Sequence, residues 1–381
     1  MPSLPVPSPD AVAHSQRVQQ HIAQDIAAHG GWISFARYME LVLYSPGLGY
    51  YAAGAAKFGP AGDFTTAPER SHLFGRAVAR QVAQVLAETG GDVLEIGAGS
   101  GKLAGDVLLE LQRLDVLPVR YAILELSATL QARQRDTLAA QAPQLLERVQ
   151  WLDRLPQTFT GVVLGNEVLD AMPVHLVTRD NGQLFERGVG LSADRLGWAD
   201  QPLTIGVLQQ AAAALNLAEG YVTEINLAAP AFVASLAERM VRGALLCIDY
   251  GFPRAEYYHP QRSQGTLMCH YRHHAHGDPF FWPGLQDITA HIDFSSIASS
   301  TADLQVLGYT SQANFLINCG ITDLLAETSP EDVARYLPLA NQVQYLLSPA
   351  EMGELFKVIA FGKAVEKPLR GFARGDLRHR L

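Results

Sequence analysis

The sequence predicts an α/β fold built on a doubly wound, largely parallel sheet. One observation is the stretch over residues 93–101, a short apolar run that ends in glycines at alternate positions, Gly97, Gly99 and Gly101. The other is the alternation of apolar runs with helical patterns over residues 93–249. A strand, a glycine turn and a helix begin a nucleotide-binding βαβ unit, because glycine lets the backbone turn sharply and approach a ligand closely.

The length, charge and composition of the chain disfavour several classes of function. The 381 residues suffice for one large domain with insertions or for two smaller ones. The formal net charge of −9 disfavours duplex nucleic acid as the main partner. Cys247, Cys269 and Cys319 are too few and too scattered for a disulfide framework or a four-thiolate metal site. No apolar run approaches membrane-spanning length. We therefore expect a protein that holds no metal and contacts neither nucleic acid nor membrane.

The N-terminal segment predicts a tail followed by helices. Residues 1–9 are proline-rich and lack both a secretory signal and an Arg-rich transit pattern, so we expect a cytoplasmic protein with a disordered tail over residues 1–13. Helical patterns cover residues 14–28 and 34–43. Residues 14–75 then read as a helical cap with a loop for cofactor and substrate. The irregular segment 59–69 within it suits either a functional loop or a solvated connector.

The predicted sheet spans two stretches of chain, residues 76–172 and 226–362. Its strands are predicted at residues 93–96, 122–126, 149–152, 161–165 and 244–249. Ligands in parallel sheets bind at the carboxyl ends of strands. Besides the glycines, those ends carry Glu125, Trp151, Asn166, Glu167 and Asp249, more polar residues than a packing scaffold requires.

A β-rich insertion is predicted over residues 173–225. Two alternating runs flank Asp180-Asn181-Gly182, which is a strong hairpin signal, and residues 196–198 add a further strand. The basic residues 363–381 predict a loose tail.

The histidine-rich stretch over residues 269–279 suggests two interpretations. One is a metal site, and the other is a loop whose imidazoles bond to backbone or substrate. Because no Cys/His pair lies at zinc-finger spacing, we favour the loop.

The spacing of the glycines distinguishes a dinucleotide-binding motif from other nucleotide-binding motifs. The dinucleotide pattern G-x-G-x-x-G is absent, and the sequence instead has Glu95-x-Gly97-x-Gly99-x-Gly101. This resembles motif I of the class I methyltransferases that use S-adenosyl-L-methionine. The resemblance implies that the loop lies under the methionine part of the cofactor, that Glu95 reaches its ammonium group through water and that Glu125 holds the ribose hydroxyls. The alternative is an ordinary glycine turn with Glu125 at a solvated strand end.

Several stretches together resemble the MidA family of class I methyltransferases, roughly over residues 15–362. They are Tyr44-Ser45-Pro46-Gly47-Leu48-Gly49-Tyr50-Tyr51, Gly62-Asp63-Phe64-Thr65-Thr66-Ala67-Pro68-Glu69, Leu94-Glu95-Ile96-Gly97-Ala98-Gly99-Ser100-Gly101, Gly165-Asn166-Glu167-Val168-Leu169-Asp170-Ala171-Met172-Pro173, Ile248-Asp249-Tyr250-Gly251 and Asp287-Ile288-Thr289-Ala290-His291-Ile292-Asp293-Phe294. The family's mitochondrial members assist assembly of respiratory complex I by methylating an arginine of a core subunit. The resemblance also implies a Rossmann-like sheet whose last strand, over residues 356–361, is antiparallel and pairs with a strand over residues 309–315.

The predicted site residues fall into two groups. Those expected to bind S-adenosyl-L-methionine are Phe64, Thr65, Glu95, Gly97, Ala98, Gly99, Gly101, Glu125, Leu126, Trp151 and Asn166. Those expected to be catalytic are Glu167, Asp170 and Asp293, with Asp249 as a further candidate, because carboxylates can orient a guanidinium acceptor. Helix capping is the alternative role for Glu167 and Asp170.

The predicted function is methylation of an arginine in a protein, with a respiratory-complex subunit as the acceptor that the resemblance implies. A non-catalytic or weakly catalytic assembly factor that binds the cofactor and a partner is one alternative. A nicotinamide-dependent dehydrogenase is another. The sequence leaves open whether the protein is a homodimer, and whether one or two methyl groups are transferred.

Overall fold

The computed structural model describes residues 4–52, 66–193, 195–203 and 206–381. Its helices are α1 (Pro9–Ala28), α2 (Phe35–Tyr44), α3 (Ala67–Arg70), α4 (His72–Thr89), α5 (Lys102–Arg113), α6 (Ala128–Gln141), α7 (Val207–Ala214), α8 (Ala228–Arg239), α9 (Arg254–Tyr257), α10 (Phe294–Ala298), α11 (Gln312–Asn318), α12 (Ile321–Ala326) and α13 (Val333–Leu347). Its strands are β1 (Trp32–Ser34), β2 (Asp92–Ile96), β3 (Tyr121–Leu124), β4 (Val149–Leu152), β5 (Phe159–Asn166), β6 (His175–Asp180), β7 (Gln183–Ser192), β8 (Arg195–Pro202), β9 (Val222–Ile225), β10 (Met240–Phe252), β11 (Met268–Tyr271), β12 (His274–His276), β13 (Asp287–Thr289), β14 (Ile292–Asp293), β15 (Gln305–Ser311) and β16 (Phe356–Lys363).

Contacts within the chain divide it into two units. The first unit comprises Met1–Phe64, Asp170–Ala231 and Arg254–Asp293. The second unit comprises Thr65–Leu169, Phe232–Pro253 and Phe294–Leu381. The predicted boundaries of a helical cap, an insertion and a Rossmann-like domain stay predictions.

The second unit contains the predicted methyltransferase sheet. Its strands lie in the order β4-β3-β2-β5-β10-β16-β15. Neighbouring strands from β4 to β10 are parallel, whereas β16 is antiparallel to both β10 and β15. This confirms a parallel core with an antiparallel last strand. The chain leaves β2 toward β3 and β4 on one side and later toward β5 and β10 on the other, so the strand order reverses at β2. Ligands bind at such switch points, beyond the carboxyl ends of the strands.

The central strands are buried because helices cover the sheet. Strands β2 and β5 are buried at nearly every position, as expected when both faces of a parallel sheet are covered. Helix α5 packs its buried stripe, which includes Leu103, Val107 and Leu111, into the same apolar core as Val93 and Val162 of the strands. This core fixes where each strand ends, and therefore where the site residues lie.

The first unit is built on antiparallel strands. One sheet has the order β1-β7-β6-β9, with β8 paired to β7, and a smaller sheet has the order β12-β11-β13. The β6–β7 hairpin turns at Asn181 and Gly182, with φ values of 49° and 76°. Positive φ at both residues is the geometry of a type I′ turn, so the predicted hairpin and the predicted further strand, β8, are both confirmed. Helices α1 and α2 share an apolar core with these strands.

The structure corrects three local predictions. Helix α1 begins at Pro9 rather than at residue 14, because the Ser8 hydroxyl accepts a hydrogen bond from Ala11 N and caps the helix. Strand β15 ends at Ser311, whose hydroxyl caps α11, so residues 312–315 are helical rather than extended. The segment after Lys363 is not loose, because it buries Leu369 and Phe372 in the core.

A glycine at the start of β5 should be indispensable for the sheet. Gly161 has φ 125°, and a Cβ atom there would lie 2.0 Å from the backbone oxygen of Asp92 on β2. We predict that Gly161→Ala lowers the free energy of unfolding by about 2–5 kcal/mol, through backbone strain and steric overlap. Urea unfolding measures the change.

The matched control is Gly197→Ala on β8. A Cβ atom there would have no neighbour within 4 Å, so the change should stay within about 0.5 kcal/mol. Similar values for the two variants would contradict the prediction.

Candidate cofactor and active site

The glycine loop follows β2 and leads into α5. Gly97, Gly99 and Gly101 have φ values of 63°, 54° and 85°, a region that favours glycine. A Cβ atom on Gly101 would lie 3.0 Å from Gln134 Cα, so packing also requires glycine there. The N-terminus of α5 adds backbone N–H groups to this concave surface. The loop is therefore shaped to admit a ligand close to the main chain.

Residues 66–70, the described end of the irregular segment 59–69, lie against this loop. The Ser100 hydroxyl donates a short hydrogen bond to the Glu69 carboxylate, and Lys102 Nζ donates to Glu69 O at 3.2 Å. Ser100 was not among the predicted site residues. Phe64 and Thr65 lie outside the described residues, so their predicted contact with the cofactor stays a prediction.

Glu125 stands at the end of β3 in a fixed orientation. Its Oε1 accepts from Ser127 N at 2.9 Å, and its Oε2 accepts from Gln134 Nε2 at 3.0 Å. Burial raises the pKa of its carboxyl group above the ordinary value, against the effect of these hydrogen bonds. The next residue, Leu126, is 79% exposed. A positioned carboxylate beside an exposed apolar side chain fits a ligand with ribose hydroxyls next to a flat base.

Gln134 connects three parts of the site, and sequence reasoning missed it. Its Nε2 donates both to Glu125 Oε2 and to Gly99 O, the latter at 3.1 Å, while its Oε1 accepts from Trp151 Nε1 at 2.9 Å. The side chain is fully buried on α6. The sequence does contain an indication of its burial. Gln134 lies four residues from both Leu130 and Leu138, so it falls on the apolar face of the predicted helix.

Trp151 lies at the end of β4 with one ring face covered. The guanidinium of Arg135 lies 3.8 Å from the ring centroid, which is a cation–π contact. Together with the bond to Gln134, this contact holds the indole in one orientation. The predicted contact between Trp151 and the cofactor stays a prediction.

The residues after β5 carry two features typical of a functional site. Glu167 has φ 52°, a left-handed conformation that is uncommon for a residue other than glycine. Its backbone N–H donates to Ile248 O at 2.8 Å, and its Oε1 accepts from Asn166 Nδ2 at 3.0 Å. Asn166 Oδ1 is buried and has no hydrogen-bond partner among the described residues. A buried acceptor without a donor costs about 1–3 kcal/mol, so it fits a ligand that supplies an N–H or O–H group.

The other candidate carboxylates differ in their surroundings. In the second unit, Asp249 accepts from the backbone N–H groups of Leu169 and Tyr250, each at 2.9 Å, which gives it a role in holding the chain after Glu167. In the first unit, Asp170 is buried, and Asp293 Oδ2 accepts from Arg254 Nε at 3.2 Å. The catalytic roles of Asp170 and Asp293 stay predictions. Helix capping by Glu167 or Asp170 is wrong, because strand β6 is the next element.

Glu95 is buried within β2. Only 2% of the residue is exposed, and its Oε2 accepts a hydrogen bond from the Tyr121 hydroxyl at 2.6 Å. Burial raises the pKa of the Glu95 carboxyl to about 7, against the lowering effect of that hydrogen bond. Its predicted link to the cofactor ammonium through water stays a prediction.

The histidine-rich stretch forms the β11–β12 hairpin, in which the His274 ring contacts Arg272 O at 2.7 Å. Within the part of the chain that the structure describes, no group of three or more His, Cys, Asp or Glu side chains could hold a metal ion. Within the same residues, every helix is too short or too polar to cross a membrane.

The sheet order and the glycine loop define a class I methyltransferase. Comparison with known proteins supports this assignment. The model of a family described as "Putative S-adenosyl-L-methionine-dependent methyltransferase" matches residues 75–310, which is more than half of the chain. The chain belongs to this family of MidA-like methyltransferases. Its cofactor is therefore S-adenosyl-L-methionine, and the dehydrogenase alternative is wrong.

Two solved structures are similar over the whole chain. One is a superfamily member from Burkholderia thailandensis bound to S-adenosyl-homocysteine, 55% identical with a TM-score of 0.97. The other, from the same organism in its native form, is 54% identical with a TM-score of 0.94. Each match covers 100% of both chains.

More distant relatives carry a functional name. "Protein arginine methyltransferase NDUFAF7, mitochondrial" of Danio rerio is 27% identical, with 90% of this chain and 86% of that protein covered. The Caenorhabditis elegans homologue of that name is 28% identical, with 76% and 74% covered. These relatives are named as mitochondrial, and this finding contradicts the cytoplasmic location expected from the sequence. That expectation rested on the first residues of the chain, which do not determine the compartment.

The first prediction for this site concerns Gln134. Gln134→Met keeps the side-chain length but leaves Glu125 Oε2 and Trp151 Nε1 without their buried partner. We expect affinity for S-adenosyl-homocysteine, measured by titration calorimetry, to fall about tenfold or more. The control is Gln112→Met on α5, where the side chain is exposed, and its affinity should match the wild type. Unchanged binding by a folded Gln134→Met protein would remove Gln134 from the site.

The second prediction concerns pH. Because the native pKa of Glu95 lies near 7, above the ordinary 4.5, the folded protein binds this proton more tightly than the unfolded chain. The stability from this group is full below about pH 4.5 and is lost as the pH rises through about 7. Relative to Glu95→Gln, which has no group that titrates in this range, the wild type should lose about 2–2.5 kcal/mol of unfolding free energy between pH 5 and 7.5. Urea unfolding at several pH values tests this, and a constant difference between the proteins would refute it.

Proposed function

We propose that this methyltransferase transfers a methyl group to an arginine side chain of a protein, and that Glu167 orients the acceptor. The observation that carries the proposal is the left-handed backbone of Glu167 beside the unpartnered Asn166 Oδ1, at the end of β5. Strained residues other than glycine persist where the surroundings hold them, and they cluster at functional sites. The relatives named as protein arginine methyltransferases support the acceptor class.

The residues of the second unit suit this chemistry. When bound, S-adenosyl-L-methionine supplies the methyl group on a sulfonium for in-line transfer. Glu125, positioned by Gln134, would hold the ribose hydroxyls, with Leu126 against the base. Asn166 Oδ1 would accept a hydrogen bond from the cofactor or acceptor. These side chains would position the cofactor and the acceptor and would form no covalent bond to either. Alignment of the two reactants is the main contribution that methyl transfer needs from the protein.

An arginine acceptor explains why a carboxylate is needed. The guanidinium is positively charged, so its approach to a sulfonium is unfavourable unless negative charge compensates. A carboxylate can bind two guanidinium N–H groups in parallel and direct a third nitrogen toward the methyl group. It can also draw off the proton that the nitrogen loses as the new N–C bond forms. Glu167 is the carboxylate nearest in sequence to Asn166 and its buried, unpartnered oxygen.

Glu167→Gln tests the role of this side chain. The amide keeps the shape and removes the charge, so turnover should fall by about 10²–10³, the scale of losing one oriented charge-stabilising group. Affinity for S-adenosyl-homocysteine should stay within about twofold of wild type. Glu147→Gln, at an exposed position of the same unit, is the charge-matched control. Full turnover by Glu167→Gln would exclude the proposed role.

The acceptor is found by incubating the protein with methyl-labelled cofactor and a lysate separated by size. Label on protein that is recovered as methylarginine after acid hydrolysis supports the proposal. Label only on small molecules overturns it. Absence of label from every fraction, with cofactor binding intact, would favour the non-catalytic assembly factor. A respiratory-complex subunit as the acceptor and a homodimer stay predictions, which the labelled band and sedimentation can test.

A further inference from the structure

A group of tyrosines and carboxylates lies together in the first unit. We call it the tyrosine–aspartate cage, and its members are Tyr44, Tyr51, Asp170 and Asp287. The Tyr51 hydroxyl donates to Asp287 Oδ1 at 2.8 Å. The Tyr44 hydroxyl donates to the carbonyl oxygen of Ala171, the residue after Asp170, at 2.8 Å. The two rings stack with centroids 5.5 Å apart and planes at 26°, so one aromatic pair is bonded both to Asp287 and to the backbone beside Asp170.

Strand β13 brings a hydroxyl to the same place. Asp287 and Thr289 are two residues apart on this strand, so their side chains point to the same face. The backbone N–H of Ala290, directly after the strand, donates to Asp170 O at 3.1 Å. This bond joins the end of β13 to the segment that carries the other carboxylate. Asp170, Asp287 and Thr289 are all more than nine-tenths buried.

Thr289 provides independent evidence for a ligand. Its Oγ1 is buried and finds no hydrogen-bond partner among the described residues. A threonine hydroxyl can both donate and accept, and leaving it without a partner inside a protein costs free energy. The hydroxyl lies on the face of β13 that carries Asp287, so a polar ligand beside Asp287 would satisfy it.

The tyrosines give this ligand an aromatic surface that reaches solvent at Tyr44. Tyr44 is 40% exposed, whereas both carboxylates lie beneath the surface. Burial raises the pKa of the Tyr51 hydroxyl well above its ordinary value, and Asp287 raises it further. Tyr51 therefore stays protonated and continues to donate to Asp287 at neutral pH. A neutral aromatic pair over carboxylates is a surface for a cation with a flat face.

We propose that the tyrosine–aspartate cage binds the guanidinium group of a protein arginine. A guanidinium is planar, stacks on aromatic rings and binds carboxylates in a bidentate manner. A compact ammonium or metal ion would use the carboxylates but gain less from a stacked ring pair. The identification of the cation as a protein arginine rests on the proposed function, and Asp170 follows the proposed acceptor-orienting Glu167 by three residues in the sequence.

Binding of a minimal probe tests the cage. The probe is N-acetyl-arginine amide, and N-acetyl-citrulline amide is its uncharged match. Ligand-observed NMR on the full chain loaded with S-adenosyl-homocysteine should detect the arginine probe with an affinity on the order of millimolar. The citrulline probe should bind at least tenfold more weakly. Equal binding of the two probes would overturn the proposal.

Variants then assign the binding to the cage. Asp287→Asn should weaken the arginine probe about tenfold or more, because a charge-assisted hydrogen bond is lost. Tyr44→Leu, at an exposed position, should weaken it about two- to fivefold through loss of the aromatic face. If Asp287→Asn fails to fold, the Tyr44→Leu variant still tests whether the cage binds the probe. Asp200→Asn, which removes one charge from the ion pair with Arg187 elsewhere in the unit, should bind like the wild type.

The outcomes separate this inference from the proposed function. Loss of probe binding in Asp287→Asn or Tyr44→Leu, with Asp200→Asn unaffected, supports the cage. Wild-type affinity in both cage variants overturns it, even if methylarginine forms in the lysate experiment. Conversely, label on acceptors other than arginine would refute the proposed function, while selective and cage-dependent binding of the arginine probe would still support a guanidinium site.

Discussion

The buried side chain of Gln134 is the interaction on which the geometry of the cofactor site depends. One amide group bonds to the glycine loop after β2, to the carboxylate after β3 and to the indole after β4. An amide offers two N–H groups and one carbonyl oxygen, and these three contacts use them all. Because the strands are parallel, their carboxyl ends meet at one edge of the sheet, where a single side chain can reach all three. A rigid site results from a network that is fully satisfied inside the protein.

The features predicted correctly from the sequence are those with a local physical cause. Alternate glycines after an apolar run give a tight turn because each can adopt positive φ, and the structure shows this for Gly97, Gly99 and Gly101. Asn181 and Gly182 form a hairpin turn for the same reason. Apolar runs bounded by turns become buried strands, so Glu125 and Glu167 could be placed at strand ends before any contact was known.

The features that sequence reasoning missed depend on contacts between distant parts of the chain. A glutamine on a helix is usually exposed, and only the partners of Gln134 from other elements explain its burial. The segment after Lys363 looked loose by composition, but Gly371 N donates to Gln81 Oε1 of α4 and fixes it to the core. Asp287 belongs to one of the motifs that resemble the MidA family, but the motif does not predict its hydrogen bond to Tyr51, which lies 236 residues away in the sequence. The family itself was predicted by the order of several motifs, which no single local rule contains.

The buried and half-buried carboxylates differ in the donors that hold them. Glu224 in the first unit accepts from the backbone N–H groups of Thr266 and Leu267, both at 2.8 Å, and from the Tyr257 hydroxyl. Asp249 in the second unit is likewise bonded to backbone donors. Backbone donors cannot move away unless the chain unfolds locally, so Glu224 and Asp249 have a structural role. Glu167 and Asp287 accept from the side chains of Asn166 and Tyr51, and a side-chain donor can rotate where a backbone donor cannot. The roles proposed for Glu167 and Asp287 in binding a cationic acceptor therefore require side-chain movement, whereas the same role at Glu224 or Asp249 would require the backbone to move.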